Sequence, residues 1–282
     1  MKQVLARFAG RYIAGTTREE ALEVVRGLNA SGISTTLDIL GENVNTADGA
    51  RASAAEYITL LEEIDRAGLD SSVSVKLTHL GLDISTELAT ENAEGVVRKA
   101  GEYGNLVCMD MEGSAHTART IDIALDLGRR QDNLRVAVQS YLKRSADDVD
   151  RLIRKGVSVR LVKGAYKEPP EVAFAEKERV DRNFVALMRL LMVDGKDPAI
   201  ATHDESILDD AKKFALIKGI RKDSFEIQML LGIKRTLQKD LAKEGYRMRV
   251  YVPYGPDWLP YMTRRLTERK ENLYFVLKNI VD

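Results

Sequence analysis

Cysteine is nearly absent from this sequence, and long apolar runs do not occur. The 282 residues include a single cysteine, Cys108, which excludes a disulfide within the chain and fits a reducing compartment. The longest apolar runs have the length of a strand, so a transmembrane helix is not expected. The segment from Met1 to Gly15 mixes basic and apolar side chains and lacks the apolar core of a signal peptide. We therefore expect a cytoplasmic protein.

An excess of charge of either sign is also missing. Lysine and arginine together number 43, and so do aspartate and glutamate. Net charge therefore gives no reason to expect binding to nucleic acid or to an anionic membrane. Histidine occurs only three times, at His79, His116 and His203, and neither His-x-His nor His-Glu-x-x-His is present. No metal site is expected.

The sequence does contain a repeated alternation of strand and helix patterns. After a helical segment at about Arg18–Asn29, short apolar runs predict strands at about Gly32–Leu40, Ser72–Leu77, Leu106–Met111, Leu134–Gln139, Val157–Lys163, Ala199–His203, Phe225–Leu230 and Met248–Val252. Amphipathic stretches between them predict helices at about Ala54–Ala67, Thr90–Tyr103, Thr117–Arg130, Asp147–Lys155, Arg179–Val193, Ser206–Lys218 and Lys234–Glu244. A last helix is predicted from about Trp258 to Ile280.

Strict alternation of this kind predicts a parallel sheet with right-handed crossovers. Eight strand–helix units in a chain of this length favour a closed (β/α)8 TIM barrel of the α/β class. An open doubly wound sheet is the alternative, and it is less favoured because no glycine-rich dinucleotide turn follows the first strand. We expect residues 1–31 to form an N-terminal helical segment and residues 32–282 to form one barrel. The last helix is expected over the barrel mouth.

Polar side chains occupy alternate positions along most of the predicted strands. Because successive side chains of a strand face opposite sides, the apolar set must face the helices and the polar set must face the lumen. The predicted lumen set is Ser34, Thr36, Asp38, Ser72, Ser74, Lys76, Cys108, Asp110, Arg135, Ala137, Gln139, Ser158, Arg160, Ala199, Ala201, His203, Glu226, Gln228, Leu230, Arg247, Arg249 and Tyr251. Barrel lumens usually hold branched aliphatic residues. A ligand site is therefore favoured over a polar network that only satisfies itself.

Four of these side chains are candidates for chemistry. Arg160 lies within an apolar run, where an unpaired charge would be costly, so its expected partners are ligand atoms and acids from neighbouring strands. Lys76 either binds an anion, forms a Schiff base or reaches solvent. Asp110 either orients a base or cation or pairs with a neighbouring lysine. Gln139 either hydrogen-bonds the edge of a heterocycle or is satisfied by its neighbours.

The segments after the fifth, sixth and eighth strands carry further polar residues. One helical face after the eighth strand presents Tyr261, Arg264, Arg265 and Glu268, spaced i, i+3, i+4 and i+7. The two guanidinium groups form either a clamp for a carboxylate or a solvated surface. His203 either caps a loop or donates to a ligand oxygen. Glu168, followed by two prolines, begins a connection that is either a mobile lid or an ordinary long loop.

Several motifs together resemble the proline dehydrogenase family. They are Val75–Leu77, Met109–Glu112, Val138–Tyr141, Arg160–Tyr166, Ala201–Asp204, Phe225–Gln228 and Tyr251–Glu268. R-L-V-K-G-A-Y together with Y-x-x-R-R-x-x-E is highly specific, and the match covers nearly the whole chain from the first strand onward. The resemblance implies a flavin-dependent barrel without a Rossmann domain. Such an enzyme oxidises L-proline to Δ1-pyrroline-5-carboxylate, the first step of proline catabolism, by hydride transfer to FAD.

The resemblance also implies roles for individual residues. Residues matching the cofactor-binding positions are Met111, Gln139, Arg160, Lys163, Gly164, Ala165, Thr202, His203 and Gln228. Arg160 would lie near flavin N5, and Gln139 would bind the pyrimidine edge. Residues matching the substrate-binding positions are Lys76, Leu230, Tyr251, Tyr261, Arg264, Arg265 and Glu268, with Tyr166 also beside the ring. Asp110 would orient the cations that bind the proline carboxylate, and Glu42 would close the site by pairing with Arg264.

Partners follow from the same resemblance. A quinone would accept the electrons, which implies at least transient, peripheral contact with a membrane, and pyrroline-5-carboxylate dehydrogenase would consume the product. Two alternatives stay open at this point. One is a Schiff-base aldolase that uses Lys76 or Lys163 in the same barrel. The other is a barrel that binds a ligand or partner without turnover.

Overall fold

A closed barrel of eight parallel strands forms the centre of the molecule, as predicted. Residues 10–41 and 43–259 are described by a computed structural model of the chain. Its strands are β1 (Ser34–Ile39), β2 (Ser71–Val75), β3 (Val107–Met109), β4 (Leu134–Gln139), β5 (Ser158–Val162), β6 (Ala199–Ala201), β7 (Glu226–Leu230) and β8 (Arg247–Tyr254). Each strand pairs with the next in sequence, and β8 pairs with β1, so the sheet has no free edge.

Helices surround this barrel and bury their apolar faces against it. The helices of the described residues are α1 (Arg18–Asn29), α2 (Ala47–Arg66), α3 (Thr86–Glu102), α4 (Ser114–Leu127), α5 (Ser145–Arg154), α6 (Lys177–Asp194), α7 (Glu205–Lys218) and α8 (Arg235–Lys243). The starts of α2 and α3 were predicted too late. Thr46 and Ser85 cap these helices through their side-chain oxygens, so each helix begins in a polar turn that the apolar periodicity does not reveal.

Helix α1 packs on β1 and β8 of the barrel. Its Thr17 and Glu20 form a capping box, and its buried face joins the same core as the strands. Just before the helix, the amide of Ala14 donates to the carbonyl of Pro253 at 2.9 Å. The helical prediction for Arg18–Asn29 is confirmed, and the structure adds where the helix packs. The predicted boundary at residue 31 stays a prediction.

Strand side chains alternate between helix ring and lumen as the pattern predicted. The outward-facing valines of β2 and β4, for example, are 2% exposed or less, which is what burial of both sheet faces requires. None of the helices in the described residues is long and apolar enough to cross a membrane. The predicted helix from Trp258 to Ile280 lies outside the described residues except for its first two positions.

The amino ends of the strands are closed by a network of charged side chains, here called the base network. It consists of Arg135, Ser158, Asp197, Glu226, Arg247 and Arg249. The buried carboxylate of Glu226 accepts from Arg135 Nη1 at 2.8 Å and from Arg249 Nε at 2.8 Å. Arg135 also donates to Asp197 Oδ2 at 2.6 Å. The network plugs the barrel at the end opposite to the usual active site.

Stability is expected to depend on the ionisation of Glu226. Burial alone would raise the pKa of Glu226, but Arg249 and Arg135 lower it to about 2 from an ordinary value of 4.5. The resulting stabilisation, about 3 kcal/mol by linkage, is fully present above pH 4.5 and is lost as the pH falls towards 2. Urea unfolding of wild type and Glu226→Gln over this pH range measures it. The difference in free energy of unfolding between wild type and Glu226→Gln should become smaller as the pH falls. A difference that does not change with pH would contradict a lowered pKa of Glu226 in the folded protein.

Candidate active site

The carboxyl ends of the strands hold a second polar cluster, here called the mouth network. It consists of Asp38, Ser74, Lys76, Asp110, Arg160 and Tyr251. These residues come from β1, β2, β3, β5 and β8 or follow directly after them. Only closure of the barrel brings such distant segments to one point, and this end is where barrels of this kind carry their active sites.

Asp110 is the centre of the mouth network. Its Oδ1 accepts hydrogen bonds from Ser74 Oγ at 2.7 Å and from Arg160 Nη1 at 2.7 Å. Its Oδ2 accepts from the Tyr251 hydroxyl at 2.7 Å and from Lys76 Nζ at 3.3 Å. Four donors, two from β2 and its end and one each from β5 and β8, therefore orient one carboxylate. Asp110 pairs with a lysine, Lys76, and also with Arg160, and its role in orienting cations for a substrate stays a prediction.

Lys76 lies between two carboxylates and does not reach solvent. It is 6% exposed, and its Nζ is 2.7 Å from Asp38 Oδ1. Burial alone would lower the pKa of Lys76, but Asp38 and Asp110 raise it well above its ordinary value. A Schiff base needs a neutral amine, so this environment does not favour the aldolase alternative for Lys76.

Asp38 had no assigned role in the sequence analysis beyond facing the lumen. The structure makes it the second acid of the mouth network, fully buried, with Oδ2 lacking a hydrogen-bond partner among the residues described. Burial raises the pKa of Asp38 despite the opposing effect of Lys76. For Asp110, burial is outweighed by Lys76 and Arg160, which lower its pKa. The sequence feature that could have indicated this role is the position of Asp38, an acid that faces the lumen near the end of β1.

Arg160 crosses the lumen from β5 towards β2 and β3. It is 3% exposed, donates to Ser74 Oγ at 2.9 Å and lies over the Tyr251 ring, with its guanidinium carbon 5.5 Å from the ring centre. Contact of a guanidinium with an aromatic face is favourable. Its Nε is buried and has no hydrogen-bond partner within the described part of the chain. The cation is thus held in place by Asp110, Ser74 and Tyr251.

The segment after β5 lies beside the end of β4. The Gln139 amide donates to the carbonyl of Glu112 at 3.0 Å and accepts from the amide of Ala165 at 3.4 Å. Gly164 has φ +122°, and a Cβ there would lie 2.2 Å from the Tyr141 ring. No other residue fits this backbone, so the glycine lets the segment pass closely over Tyr141.

The other predicted cofactor residues follow β3, β5 and β6 or lie on β7. Lys163 Nζ pairs with Asp204 Oδ2 at 2.9 Å and with Asp181. His203 Nε2 accepts from the amide of Leu230 at 2.9 Å, which is the loop-capping role. Thr202 and Met111 are buried near strand ends. Gln228 is placed lower in the barrel, where its amide donates to Glu226 of the base network.

Five residues with predicted site roles lie outside the described residues. They are Glu42, Tyr261, Arg264, Arg265 and Glu268. Their roles stay predictions. In the residues that the structure describes, no group of three or more His, Cys, Asp or Glu side chains could hold a metal ion.

Comparisons with known proteins identify the family of this chain. A family model described as Proline dehydrogenase matches residues 21–278. Proline dehydrogenase 2 of Bacillus subtilis (strain 168) is 42% identical over 272 residues, which cover 96% of this chain and 90% of that protein. Proline dehydrogenase of Deinococcus radiodurans is 40% identical over an alignment of 289 positions, which covers 99% of this chain and 92% of that protein.

A solved structure shares the fold. The crystal structure of proline utilization A from Bdellovibrio bacteriovorus, inactivated by N-propargylglycine, superposes with a TM-score of 0.86 at 27% identity. The match covers 93% of this chain and 32% of that one, so the present chain spans about a third of its length. The family match and the two relatives, each matched over most of its length, lead to one conclusion: this chain belongs to the proline dehydrogenase family.

Proposed function

We propose that this chain oxidises L-proline to Δ1-pyrroline-5-carboxylate with FAD as hydride acceptor, and that the reaction takes place at the mouth network. Family membership supports proline as the substrate. The observation that carries the proposal is the buried pairing of Arg160 with Asp110 at the carboxyl ends of the strands, at 2.7 Å. A guanidinium fixed in this way can stabilise negative charge that develops on a neighbouring group.

The described residues fit a flavin at this place. Arg160 Nε is a buried donor whose hydrogen bond is not made within the described ranges, and such a donor suits an acceptor atom of a polar ring. Gln139 carries both a donor and an acceptor at the end of β4, where a heterocycle edge needs both. Gly164 permits close approach of the backbone.

The residues that would hold FAD are those predicted from the resemblance: Met111, Gln139, Arg160, Lys163, Gly164, Ala165, Thr202, His203 and Gln228. When bound, the isoalloxazine ring supplies the hydride acceptor that no amino-acid side chain can provide. Arg160 and Gln139 orient the ring, and the other residues line it. Lys163 is itself oriented by Asp204 and Asp181.

Proline would be bound through its carboxylate. Lys76, Arg264 and Arg265 would supply the positive charge, and Glu268 would anchor the arginine pair. Asp110 pairs with Lys76 and Arg160, while Tyr251, Tyr261 and Leu230 would enclose the pyrrolidine ring. Holding the substrate in one orientation is a large part of what an enzyme contributes to such a reaction. The neutral amine is the reactive form, so activity should fall at low pH.

Three further features are part of the proposal. A quinone accepts the electrons from the reduced enzyme, which requires peripheral contact of a cytoplasmic protein with the membrane. The product passes to pyrroline-5-carboxylate dehydrogenase. No nucleic acid and no metal take part in the reaction.

One absorbance scan of the purified protein, before and after addition of proline, tests the proposed function. We expect the bands of an oxidised flavin that bleach with proline. A colourless protein that cannot be loaded with FAD, or a flavin that proline does not bleach, would overturn the proposal. Borohydride trapping of a ketone on lysine would instead support the aldolase.

Replacement of Arg264 by lysine is expected to raise KM for proline sharply while flavin stays bound. Lysine keeps the charge but loses the fork that matches two carboxylate oxygens. Steady-state kinetics with proline and the flavin absorbance of the same preparation measure the two effects. Arg269→Lys, the same change just beyond Glu268, serves as control. Unchanged proline kinetics in Arg264→Lys would argue against the clamp.

A further inference from the structure

Glu168 connects two loops at the barrel mouth. It lies in the connection between β5 and α6, 54 residues from its partner Ser114 at the start of α4. Glu168 Oε1 accepts from the backbone amide of Ser114 at 2.6 Å, and Oε2 accepts from the Ser114 hydroxyl at 2.5 Å. Both carboxylate oxygens are therefore used on one residue, in charge-assisted hydrogen bonds of the stronger kind.

The carboxylate of Glu168 caps the amino end of helix α4. Its N-cap residue is Gly113, which provides no side-chain cap, and its first turn contains no acidic residue. A helix start normally takes a side-chain oxygen on its free amides, and negative charge there is favourable. Glu168 supplies both from another part of the chain. The contact thus stabilises the start of α4 and fixes the position of residue 168.

The rest of the connection is fixed on its other side. The amide of Lys143 donates to the carbonyl of Val172 at 2.9 Å, and the amide of Phe174 donates to the carbonyl of Tyr141 at 2.8 Å. Lys143 Nζ also donates to the carbonyl of Pro170 at 2.6 Å. The connection that sequence alone left as either a lid or a loop is therefore held at both its middle and its end.

Residues 163–166 are separated from Glu168 only by Lys167. On their amino side they continue from β5 and touch Gln139 and Tyr141. On their carboxyl side Glu168 anchors the chain through Ser114. The backbone of this segment therefore runs between a strand end and the Glu168–Ser114 contact, so loss of the contact would free one end of it.

We propose that Glu168, through Ser114, is a positioning residue that holds segment 163–166 in the conformation that binds the flavin. The proposal rests on the proposed function, because it assigns this segment to FAD. Glu168 touches neither substrate nor reacting atoms in this assignment. It acts by restricting the segment before FAD binds, so that less conformational entropy is lost on binding.

The first experiment uses the full-length apoprotein, so that it does not depend on the cofactor. Hydrogen exchange is compared in wild type, Glu168→Gln and Glu171→Gln. Glu171 lies in the same connection, is exposed, and forms no side-chain hydrogen bond or ion pair with the described residues. Peptides covering Ser114 and residues 163–168 should exchange about tenfold faster in Glu168→Gln only. Unchanged exchange in residues 163–168 would overturn the proposal.

The second experiment measures the Kd for FAD by flavin fluorescence in the same proteins and in Ser114→Ala. Glu168→Gln should raise Kd about tenfold, the size of one weakened charge-assisted contact, with KM for proline unchanged in the FAD-saturated enzyme. Ser114→Thr, which keeps the hydroxyl, should bind FAD as wild type does. The double variant Glu168→Gln/Ser114→Ala should raise Kd by less than the product of the two single effects, because both changes act on the same pair of hydrogen bonds.

The outcomes separate the two hypotheses. A lower Tm with unchanged Kd would show that Glu168 is only a helix cap and would overturn the positioning role. Failure of wild type to bind FAD would instead remove the proposed function, while the exchange experiment would still decide whether Glu168 orders the segment.

Discussion

Replacement of Asp110 by alanine is expected to lower kcat/KM for proline about 100-fold or more. The carboxylate orients Lys76 and Arg160 and accepts from the Tyr251 hydroxyl. Without it, two buried cations lose a common counter-charge and their positions relative to the substrate. Removal of one partner from a buried ion pair also costs about 3–5 kcal/mol of stability, so activity is to be expressed per folded molecule.

Asp38→Asn provides the matched comparison for Asp110→Ala. Both residues are acids of the mouth network, but Asp38 Oδ1 accepts from Lys76, whereas the two oxygens of Asp110 accept from four donors. We therefore expect a clearly smaller loss in Asp38→Asn. Steady-state kinetics and the absorbance of bound flavin in both variants measure the effect. Equal losses, or near wild-type activity in Asp110→Ala, would remove Asp110 from the centre of the site.

Replacement of Glu226 by alanine is expected to lower the free energy of unfolding by about 3–5 kcal/mol. Glu226 is 1% exposed and accepts from Arg135 and Arg249, with Arg247 Nη2 at 3.5 Å. Its removal leaves three guanidinium groups at the base of the barrel with Asp197 as the main remaining acid. Urea unfolding at neutral pH measures the change.

The control for Glu226→Ala is Asp223→Ala. Asp223 pairs with Arg221 on the surface, where both side chains are largely exposed, and such pairs contribute about 1 kcal/mol or less. Per folded molecule, Glu226→Ala should lose far less activity than Asp110→Ala, because the base network lies at the opposite end of the strands. A catalytic loss as large as that of Asp110→Ala would show that the two networks are coupled.

The alternation of polar and apolar residues explains how much could be predicted before the structure was known. Strand side chains alternate by geometry, so Lys76, Arg160 and Tyr251 could be placed in the lumen from their spacing alone. The first residues of the helices were harder to predict from the sequence. Thr46 and Ser85 begin their helices in polar turns, and apolar periodicity carries no information about such turns.

Partners could not be predicted in the same way. Lys76 and Tyr251 are 175 residues apart in sequence, and Arg160 and Asp110 are 50 residues apart. Which side chains meet depends on the register of each strand pair and on the closure of β1 on β8. The sequence placed Asp38 in the lumen but showed neither its bond to Lys76 nor its unequal ionisation relative to Asp110.

The order of residues alone was therefore enough to predict the eight-unit barrel and the polar lumen. These features depend on the alternation of polar and apolar residues within each strand, which can be read from neighbouring residues without knowing the tertiary structure. Tertiary structure alone decided that Asp110 has four donors, that α1 packs on β1 and β8, and that Glu168 caps a helix 54 residues away. Such contacts depend on where the closed barrel brings distant segments together, because hydrogen bonds and ion pairs act only over a few ångströms.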